Sequence, residues 1–373
     1  MKLKDIGTIV TGNTPSKRNN EYYESDDILF VKPSDIEENY ITNIESSEEY
    51  ISEKAREKAR ILPEGAVLVT CIGTIGKVGI LSQEATCNQQ INAIIPNDKV
   101  ISKYLAYLIQ SKQKILKLKA NAPVVPIINK TDFSEIEINI CDVNKQKEIV
   151  DQLDLLKTII DKRKIQIEEL QNIIKSQFVE MFENKNIEKK TLQDITIKIT
   201  DGSHNPPNGI DENVGYMMLS SQNIVNDKIN YENARYLSKE DFEKENARTD
   251  LKNGDVLLTI VGTVGRTAII SNEENITLQR SVAVLKPIEE IKSEYLVGAL
   301  KSDDVVRQLN KGAKGVAQKG IYLNDLKKLT ISVPPIELQN KFADFVKQID
   351  KQKFESEIEL RKIQKNIFYK WGR

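Results

Sequence analysis

The chain contains one short sequence pattern twice, and this internal repeat restricts its fold more than any other feature. Residues 65–78 read GAVLVTCIGTIGKV and residues 254–267 read GDVLLTIVGTVGRT, with seven identities in fourteen positions. The two copies lie 189 positions apart, whereas the repeats of solenoid proteins recur every roughly 20–50 residues. The repeat therefore predicts two similar domains and not a stack of small units.

The similarity extends from this pattern in both directions. The matching pairs of segments are LKDIGTIVTGNTP (3–15) with LQDITIKITDGSHNP (192–206), LFVKPSDI (29–36) with MMLSSQNI (217–224), SKYLAYLI (102–109) with SEYLVGAL (293–300), and TDFSEIEI (131–138) with NDLKKLTI (324–331). The separation within these pairs drifts only from 188 to 193 residues, which small loop insertions explain. The sequence therefore predicts a first domain at residues 1–141 and a second at residues 185–333.

A long helix is predicted after each domain. Residues 142–184 contain no proline or glycine and have apolar residues at heptad spacing. The second helix, at residues 334–373, starts at two prolines, which suit the first turn of a helix. The positions predicted to pack helix against helix are Ile149, Leu153, Leu156, Ile160, Ile167, Leu170, Ile174, Phe342, Val346, Ile349, Leu360, Ile363 and Ile367.

The two apolar stripes match at a constant shift, and both become polar near the middle. A helix of about 37 residues is about 55 Å long at 1.5 Å per residue. Because the stripes match, we expect the helices to form an antiparallel coiled coil in a pseudo-two-fold molecule. The alternative is that each helix packs only on its own domain.

Each domain is predicted to mix helices and strands, so the expected fold class is α+β. AVLVTCI, VGILS and INAIIP, between residues 66 and 96, have the composition of strands, and a glycine turn at residues 73–76 joins the first two. Residues 100–118 have helical spacing, and SEIEINI at residues 134–140 alternates as a half-buried strand does.

Composition limits the classes of function. Lys and Arg total 54 against 55 Asp and Glu, a net charge of −1, which argues against binding nucleic acid by charge alone. It still permits local reading of bases while a partner supplies cationic surface. The chain has no apolar run of membrane length and no signal peptide, so we expect a cytoplasmic protein. Cys71, Cys87 and Cys141 are predicted to be small buried side chains, because they have neither disulfide nor zinc-site spacing.

The motifs that suggest an enzyme are incomplete. GTIGK at residues 73–77 lacks the spacing and the Ser or Thr of a phosphate-binding loop. HNPPN at residues 204–208 resembles the Pro-Pro motif of amino-methyltransferases but has Asn208 where an aromatic residue is needed to stack on a flipped base. His204 is the one histidine, and no metal-ligand spacing is present. The sequence therefore predicts a protein without catalytic residues.

The order of the short motifs resembles the DNA-specificity subunit of type I restriction–modification systems. The motifs are GNTPS (12–16), its second-half form DGSH (201–204), the G-T-x-G turn in each half, PPIELQ (334–339) and the closing IQKNIFYKW. Each motif is short, but their order and duplication cover the whole chain.

This resemblance implies a function that spacing alone does not show. The two domains would be target-recognition domains, each reading half of a bipartite, asymmetric site in double-stranded DNA. The helices would set the spacer between the halves and dock two methyltransferase subunits, which bind S-adenosylmethionine and methylate adenine N6. Restriction subunits that use ATP and Mg²⁺ would join this core. The chain itself would need no cofactor or metal and contribute no catalytic residue.

The residues expected to contact DNA are polar or basic side chains on loops, since such groups read base edges. In the first domain they are Lys17, Arg18, Asn19, Lys32, Ser34, Thr74, Lys77, Gln89 and Gln90. In the second they are His204, Asn205, Ser220, Ser221, Gln222, Thr263, Arg266, Gln279, Arg280, Lys314 and Lys319.

Two other functions compete with this one: a coiled-coil scaffold that does not bind DNA, and a nuclease or methyltransferase with a fused recognition module. The two repeats and their helices fill the chain and leave no room for a catalytic domain.

Overall fold

The computed structural model describes residues 1–120, 125–183, 186–211, 215–271, 275–312 and 320–371, with side chains described as far as residue 363. It divides into unit 1, Met1–Arg163 with Glu359–Arg373, and unit 2, Lys164–Ile358. Each unit therefore contains the first part of one long helix and the last part of the other, as expected for antiparallel helices. None of the helices in the described residues is long and apolar enough to cross a membrane.

Unit 1 is built on two small sheets. Its strands are β1 (Gly7–Thr11), β2 (Ile28–Val31), β3 (Ile41–Ile44), β4 (Tyr50–Ile51), β5 (Val67–Thr70), β6 (Val78–Leu81), β7 (Ala85–Cys87) and β8 (Ile91–Pro96). Its helices are α1 (Ser102–Ser111), α2 (Gln113–Lys119), α3 (Lys130–Ser134), the beginning of α4 (Val143–Phe182) and the end of the last helix of the chain. One sheet has the order β1-β8-β5-β6-β3 and the other β4-β2-β7.

Unit 2 contains the remaining elements. Its strands are β9 (Lys189–Thr191), β10 (Thr196–Asp201), β11 (Met217–Leu219), β12 (Ile224–Val225), β13 (Lys228–Ile229), β14 (Arg235–Tyr236), β15 (Val256–Thr259), β16 (Thr267–Ile269), β17 (Ile276–Leu278), β18 (Val282–Pro287) and β19 (Thr330–Ser332). Its helices are the end of α4, α5 (Lys239–Thr249), α6 (Ser293–Leu300), α7 (Asp303–Gly312), α8 (Leu323–Leu326) and the beginning of α9 (Ile336–Trp371).

The two units repeat one topology, which confirms the duplication predicted from the sequence. The order β1-β8-β5-β6 recurs as β10-β18-β15-β16, and β4-β2-β7 recurs as β14-β11-β17. In both copies the central strand of the small sheet runs parallel to one neighbour and antiparallel to the other. The copies differ at one edge of the larger sheet. In unit 1, β3 pairs with β6, whereas in unit 2 the β12–β13 hairpin lies beside β16.

Alternating apolar side chains place the central strand of each domain between two hydrophobic layers. Val67 and Val69 face the cluster that contains α1, while Leu68 faces the small sheet. Val256 and Leu258 repeat this arrangement towards α6, while Leu257 faces the small sheet. All four residues of β5 and of β15 are buried. Burial on both faces explains why these strands read as continuous apolar runs.

A buried glutamine attaches the start of each long helix to its own domain. Gln146 Oε1 accepts from the Ile101 N–H at 2.9 Å, and its Nε2 donates to the Lys99 carbonyl at 2.8 Å. Gln339 makes the same two bonds, with the Lys292 N–H at 2.9 Å and the Glu290 carbonyl at 3.0 Å. Each glutamine therefore satisfies backbone groups beside the N-terminus of α1 or α6, which would be costly to leave unpaired when buried.

The described residues confirm most of the predicted elements and correct one. The three predicted strands are β5, β6 and β8, and α1 and α2 cover the predicted helix. SEIEINI is not a strand: its first residue ends α3, and only Glu137 forms an isolated bridge, with Lys2. Ile136 and Ile138 are nevertheless buried. The alternating pattern therefore indicated which side chains are buried, but the segment does not pair as a strand.

The predicted packing positions on the long helices divide between two environments. Ile149 and Leu153 belong to the core of the first domain, whereas Ile174, Phe342 and Val346 pack with the core of the second. The other described positions are buried or half-buried, namely Leu156, Ile160, Ile167, Leu170, Ile349, Leu360 and Ile363. Ile367 lies outside the described side chains.

The cysteines agree with the prediction of small buried side chains. Cys71 and Cys87 are buried and Cys141 is half-buried, all as free thiols. Burial raises the pKa of both Cys71 and Cys87 to about 12. Their thiolate fraction near neutral pH is therefore negligible, and so is their nucleophilicity.

Candidate nucleic-acid interface

Four segments of the first domain meet at one edge, beyond the ends of β1, β2, β5 and β7. The Gly12 N–H donates to the Ile91 carbonyl at 3.0 Å, and the Asn88 N–H donates to the Val31 carbonyl at 3.1 Å. Lys77 Nζ reaches the Pro33 carbonyl at 2.9 Å. We call residues 12–19, 32–35, 71–77 and 88–91 the loop edge of the first domain.

The second domain repeats this arrangement with different side chains. The Ser203 N–H donates to the Leu278 carbonyl at 2.8 Å, and the Gln279 N–H donates to the Leu219 carbonyl at 2.8 Å. Arg266, the counterpart of Lys77, also reaches the neighbouring loop, where its Nη1 lies 3.4 Å from the Ile224 carbonyl. Residues 202–206, 220–224, 260–266 and 279–281 form the loop edge of the second domain.

A glycine in each motif permits the close approach of these loops. A Cβ atom on Gly12 would lie 2.2 Å from the Asn88 carbonyl oxygen, and one on Gly202 would lie 2.0 Å from the Leu278 carbonyl oxygen. Both obstacles are backbone atoms, which cannot rotate away as a side chain can. This contact explains the glycine of the GNTPS and DGSH motifs.

The G-T-x-G segment is a turn between antiparallel strands, as the sequence predicted. Gly73 and Gly76 have φ values of 77° and 85°, which favour glycine. The Gly76 N–H donates to the Thr70 carbonyl at 2.9 Å, and the Gly73 N–H donates to Pro126 at 3.0 Å. These two N–H groups are bonded within the protein and are not free to bind phosphate.

The threonine that ends the central strand fixes this turn in both domains. The Thr70 hydroxyl donates to the Thr74 carbonyl and accepts from the Lys77 N–H. Thr259 makes the same two bonds, to Thr263 and Arg266. The turn thereby holds Thr74 and Thr263 exposed at the tip.

In the first domain, acidic residues neutralise part of the loop edge. Glu49 forms ion pairs with both Lys17 and Lys32. The hydrogen bond from Lys32 is the main cause that holds the pKa of Glu49 below its usual value. The Ser34 hydroxyl lies 3.3 Å from Glu48. DNA would have to compete with the Glu49 carboxylate for the two lysines.

The other candidates of the first domain are amides and one arginine. Gln89 is exposed and accepts from the Thr14 hydroxyl at 2.8 Å. Gln90 is half-buried and accepts from Asn88 at 2.9 Å. Arg18 is exposed, while Asn19 caps the short helix that starts at Asn20. The edge therefore presents both donors and acceptors, as direct base reading requires.

The second loop edge is organised around a histidine and a short capped turn. His204 Nε2 lies 2.8 Å from Asp201 Oδ2. Ser220 caps the turn that holds Gln222, and the Ser221 N–H donates to the Ser281 hydroxyl at 3.0 Å. Of the remaining predicted residues, four are exposed and Gln279 is half-buried; the four are Asn205, Thr263, Arg266 and Arg280. Lys314 and Lys319 lie outside the described residues.

Sequence reasoning missed an arginine in each domain. Arg60 Nη1 donates to the Thr11 carbonyl at 2.6 Å, and Arg248 Nε donates to the Asp201 carbonyl at 2.9 Å. Thr11 and Asp201 are the equivalent residues that precede the motif glycine. A signal was present, because an Ala-Arg dipeptide occurs at 59–60 and again at 247–248, within the drift of the repeat. No cluster of metal-ligating side chains occurs within the described chain.

The repeated topology and the two loop edges define a class of protein with duplicated domains whose shared frame presents different side chains. Comparison with known families identifies the class further. Residues 1–172 and 184–365 match the family described as the type I restriction modification DNA specificity domain. The chain belongs to this family.

Curated relatives agree with the assignment. The type I restriction enzyme MjaIX specificity subunit of Methanocaldococcus jannaschii is 27% identical over 384 aligned positions, which cover 93% of this chain and 85% of the relative. The HindI specificity subunit of Haemophilus influenzae is 34% identical over 152 positions, or 40% of this chain and 32% of the relative.

The solved structures support the fold. The S subunit of the type I system of M. genitalium superposes with a TM-score of 0.51 at 13% identity, over 100% of this chain and 95% of that chain. A structure from a study of complex assembly and conformational transition in a type I system gives 0.60 at 17% identity, over 100% and 97%. The family match, which covers most of the chain, makes it a DNA sequence-recognition component of a type I system, and specificity subunits are not catalysts.

Proposed function

We propose that residues 1–141 and 185–333 are two target-recognition domains, each of which reads one half of a bipartite, asymmetric site in double-stranded DNA. The observation that carries this proposal is the loop edge, which occurs twice on one backbone frame with different side chains. KPSDI in the first domain corresponds in the repeat to SSQNI in the second, and Lys77 corresponds to Arg266. Unlike readers on a common frame explain a target whose two halves differ.

The long helices, at residues 142–184 and 334–373, would set the spacer and dock two methyltransferase subunits. A helix of 40 residues is about 60 Å long at 1.5 Å per residue, and one turn of DNA is about 34–36 Å. Such a helix is long enough to separate two readers by a turn or more. The net charge of −1 fits partners that supply many of the phosphate contacts.

The partners would carry the chemistry of the complex. The methyltransferase subunits would bind S-adenosylmethionine and methylate adenine N6, and restriction subunits would use ATP and Mg²⁺. The complex would work in the cytoplasm. The competing scaffold hypothesis is not favoured, because the family match covers both domains and most of both helices.

Co-expression with the adjacent methyltransferase gene, followed by single-molecule sequencing of methylated adenines in host DNA, tests this proposal. We expect one bipartite motif that disappears when the gene for this chain is deleted. The motif would supply both half-sites and the spacer. Methylation that persists unchanged after the deletion would overturn the proposal.

A further inference from the structure

We propose that Asp201 and Arg248 position His204 as the residue that reads one base pair of the second half-site, and that its outward ring nitrogen accepts a hydrogen bond from the amino group of adenine or cytosine. This inference rests on the proposed function. It adds the role of His204, the two residues that position its ring, and the chemistry of the base that it contacts.

A buried carboxylate organises the site. The side chain of Asp201 is only 7% exposed, while that of His204 is 55% exposed. Arg248 Nη2 donates to Asp201 Oδ1, and Arg248 Nε donates to the Asp201 backbone carbonyl at 2.9 Å. One guanidinium thus bonds both to the carboxylate and to the backbone carbonyl of Asp201, and this double contact holds the carboxylate in one orientation. The other carboxylate oxygen, Oδ2, then faces His204 at 2.8 Å.

This geometry determines which nitrogen of the ring carries the proton. An ionised carboxylate only accepts hydrogen bonds, so the Nε2 atom of His204 must donate to Asp201. In the neutral ring the other nitrogen, Nδ1, is then an acceptor. Nδ1 has no hydrogen bond to the described residues. A half-exposed side chain on a loop edge therefore presents an acceptor of fixed orientation.

The first domain has the same arginine contact without the carboxylate and imidazole. Arg60 donates to the carbonyl of Thr11, which occupies the place of Asp201 before the motif glycine. The Thr11 hydroxyl donates to Asn92 Oδ1 at 2.7 Å. Thr14 stands where the second domain has His204. Both domains thus hold this loop with an arginine, but only the second uses it to orient a histidine.

The acceptor limits which bases His204 fits. In the major groove adenine presents its N6 amino group and cytosine its N4 amino group, whereas guanine O6 and thymine O4 are acceptors. An acceptor on the protein pairs with the amino groups and is repelled by the carbonyl oxygens. We therefore expect adenine or cytosine at the position that His204 contacts.

The Asp201→Asn variant tests the orientation directly. The substituted side chain has one acceptor and one donor end. Because Arg248 only donates, the amide oxygen must face Arg248 and the amide NH₂ must face His204. The ring proton then moves to Nδ1, and the outward nitrogen becomes a donor, as a carboxylate-to-amide change beside a histidine is known to reverse the tautomer. We expect the preference at one base pair to change from adenine or cytosine to guanine or thymine.

The experiment compares the methylation motifs of cells that carry the chain with its methyltransferase partner. Each complex is then purified and challenged with duplexes that differ at that base pair. Arg248→Ala and His204→Ala should each lower discrimination there by about tenfold and leave the first half-site unchanged. The double variant should lose no more than His204→Ala alone, because Arg248 acts through the histidine. Arg307→Ala, a 70% exposed arginine in the same unit, is the matched control.

Two results would overturn this inference while the proposed function stands. One is an unchanged second half-site in Asp201→Asn and His204→Ala complexes that assemble and methylate. The other is a fully additive loss in the double variant, which would assign Arg248 a separate role. A bipartite motif that never depended on the chain would instead overturn the proposed function itself.

Discussion

At the scale of the residue, one glycine in each domain determines the shape of the loop edge. Gly12 and Gly202 let the loop after β1 or β10 touch the loop after β7 or β17, and a methyl group at either position would overlap a carbonyl oxygen. The glycines at the strand turns have a different role, since they have positive φ values. Packing can therefore require the glycine of a short motif even where the neighbouring residues are the candidates for DNA contact.

We expect Gly202→Ala to lower the free energy of unfolding by about 1–3 kcal/mol and to weaken selection of the second half-site, because the loop must move away from Leu278. Urea unfolding and the methylation motif measure the two effects. Gly254→Ala is the control, since its φ of 89° adds strain but its Cβ would lie 3.6 Å from the nearest atom, Ser293 Oγ. Equal loss of site selection in both variants would contradict the packing explanation.

At the scale of elements, a cluster of four aromatic rings joins three helices of unit 2. Phe178 and Phe182 come from α4, Tyr295 from α6 and Phe342 from α9, with ring centroids 4.9–5.7 Å apart. Gly298 lies against this cluster, where a Cβ would be 2.6 Å from Phe178. The rings attach the two long helices to the second domain, because each contributes a large apolar area and a favourable edge contact.

Phe342→Ala should destabilise the chain by about 3–5 kcal/mol, because the ring is fully buried and its loss leaves a cavity among three other rings. Phe354→Ala on the same helix is the control, since that ring is 57% exposed and its loss should change stability by about 0.5 kcal/mol or less. Thermal and urea unfolding of the purified chain measure both. A similar cost for the two variants would show that the cluster does not hold the helices.

At the scale of the whole molecule, duplication separates framework from specificity. Residues that build the frame recur in both copies, such as Gln146 with Gln339 and Thr70 with Thr259. Side chains at the loop edges differ, as Lys77 and Arg266 do. Under the proposed function, the frame can therefore stay constant while each domain selects its own half of the DNA site.

Lys77→Ala and Arg266→Ala provide a matched pair that tests this separation. Each removes the cation that reaches a backbone carbonyl of the adjacent loop, Pro33 or Ile224. We expect Lys77→Ala to relax only the first half-site and Arg266→Ala only the second, by about 1–3 kcal/mol of base discrimination. Sequencing of methylated adenines in cells with each variant measures the change. Relaxation of both half-sites by either variant would contradict independent reading.

The sequence could predict that the candidate DNA-contacting residues lie in loops, but it could not predict all of the side chains with which they pair. Polar composition and the repeat pointed to Lys32, Gln90 and His204, and each lies in a segment that joins a loop edge. The carboxylate that pairs with Lys32, Glu49, carries no sequence signal of that role. The pairing depends on how loops from different strands approach each other, which local spacing does not encode.

By itself the sequence determined the duplication, the burial of the central strands and the course of the two long helices. Apolar periodicity is a local property, and internal similarity is found by comparing the chain with itself, so neither requires the tertiary structure. Only the tertiary structure decided that four loops meet at one edge, that Arg60 and Arg248 reach equivalent carbonyls, and that SEIEINI forms no strand. These features depend on hydrogen bonds between residues far apart in the chain, such as Gly12 with Ile91. Such bonds form only after the sheets have packed and brought the ends of separate strands together.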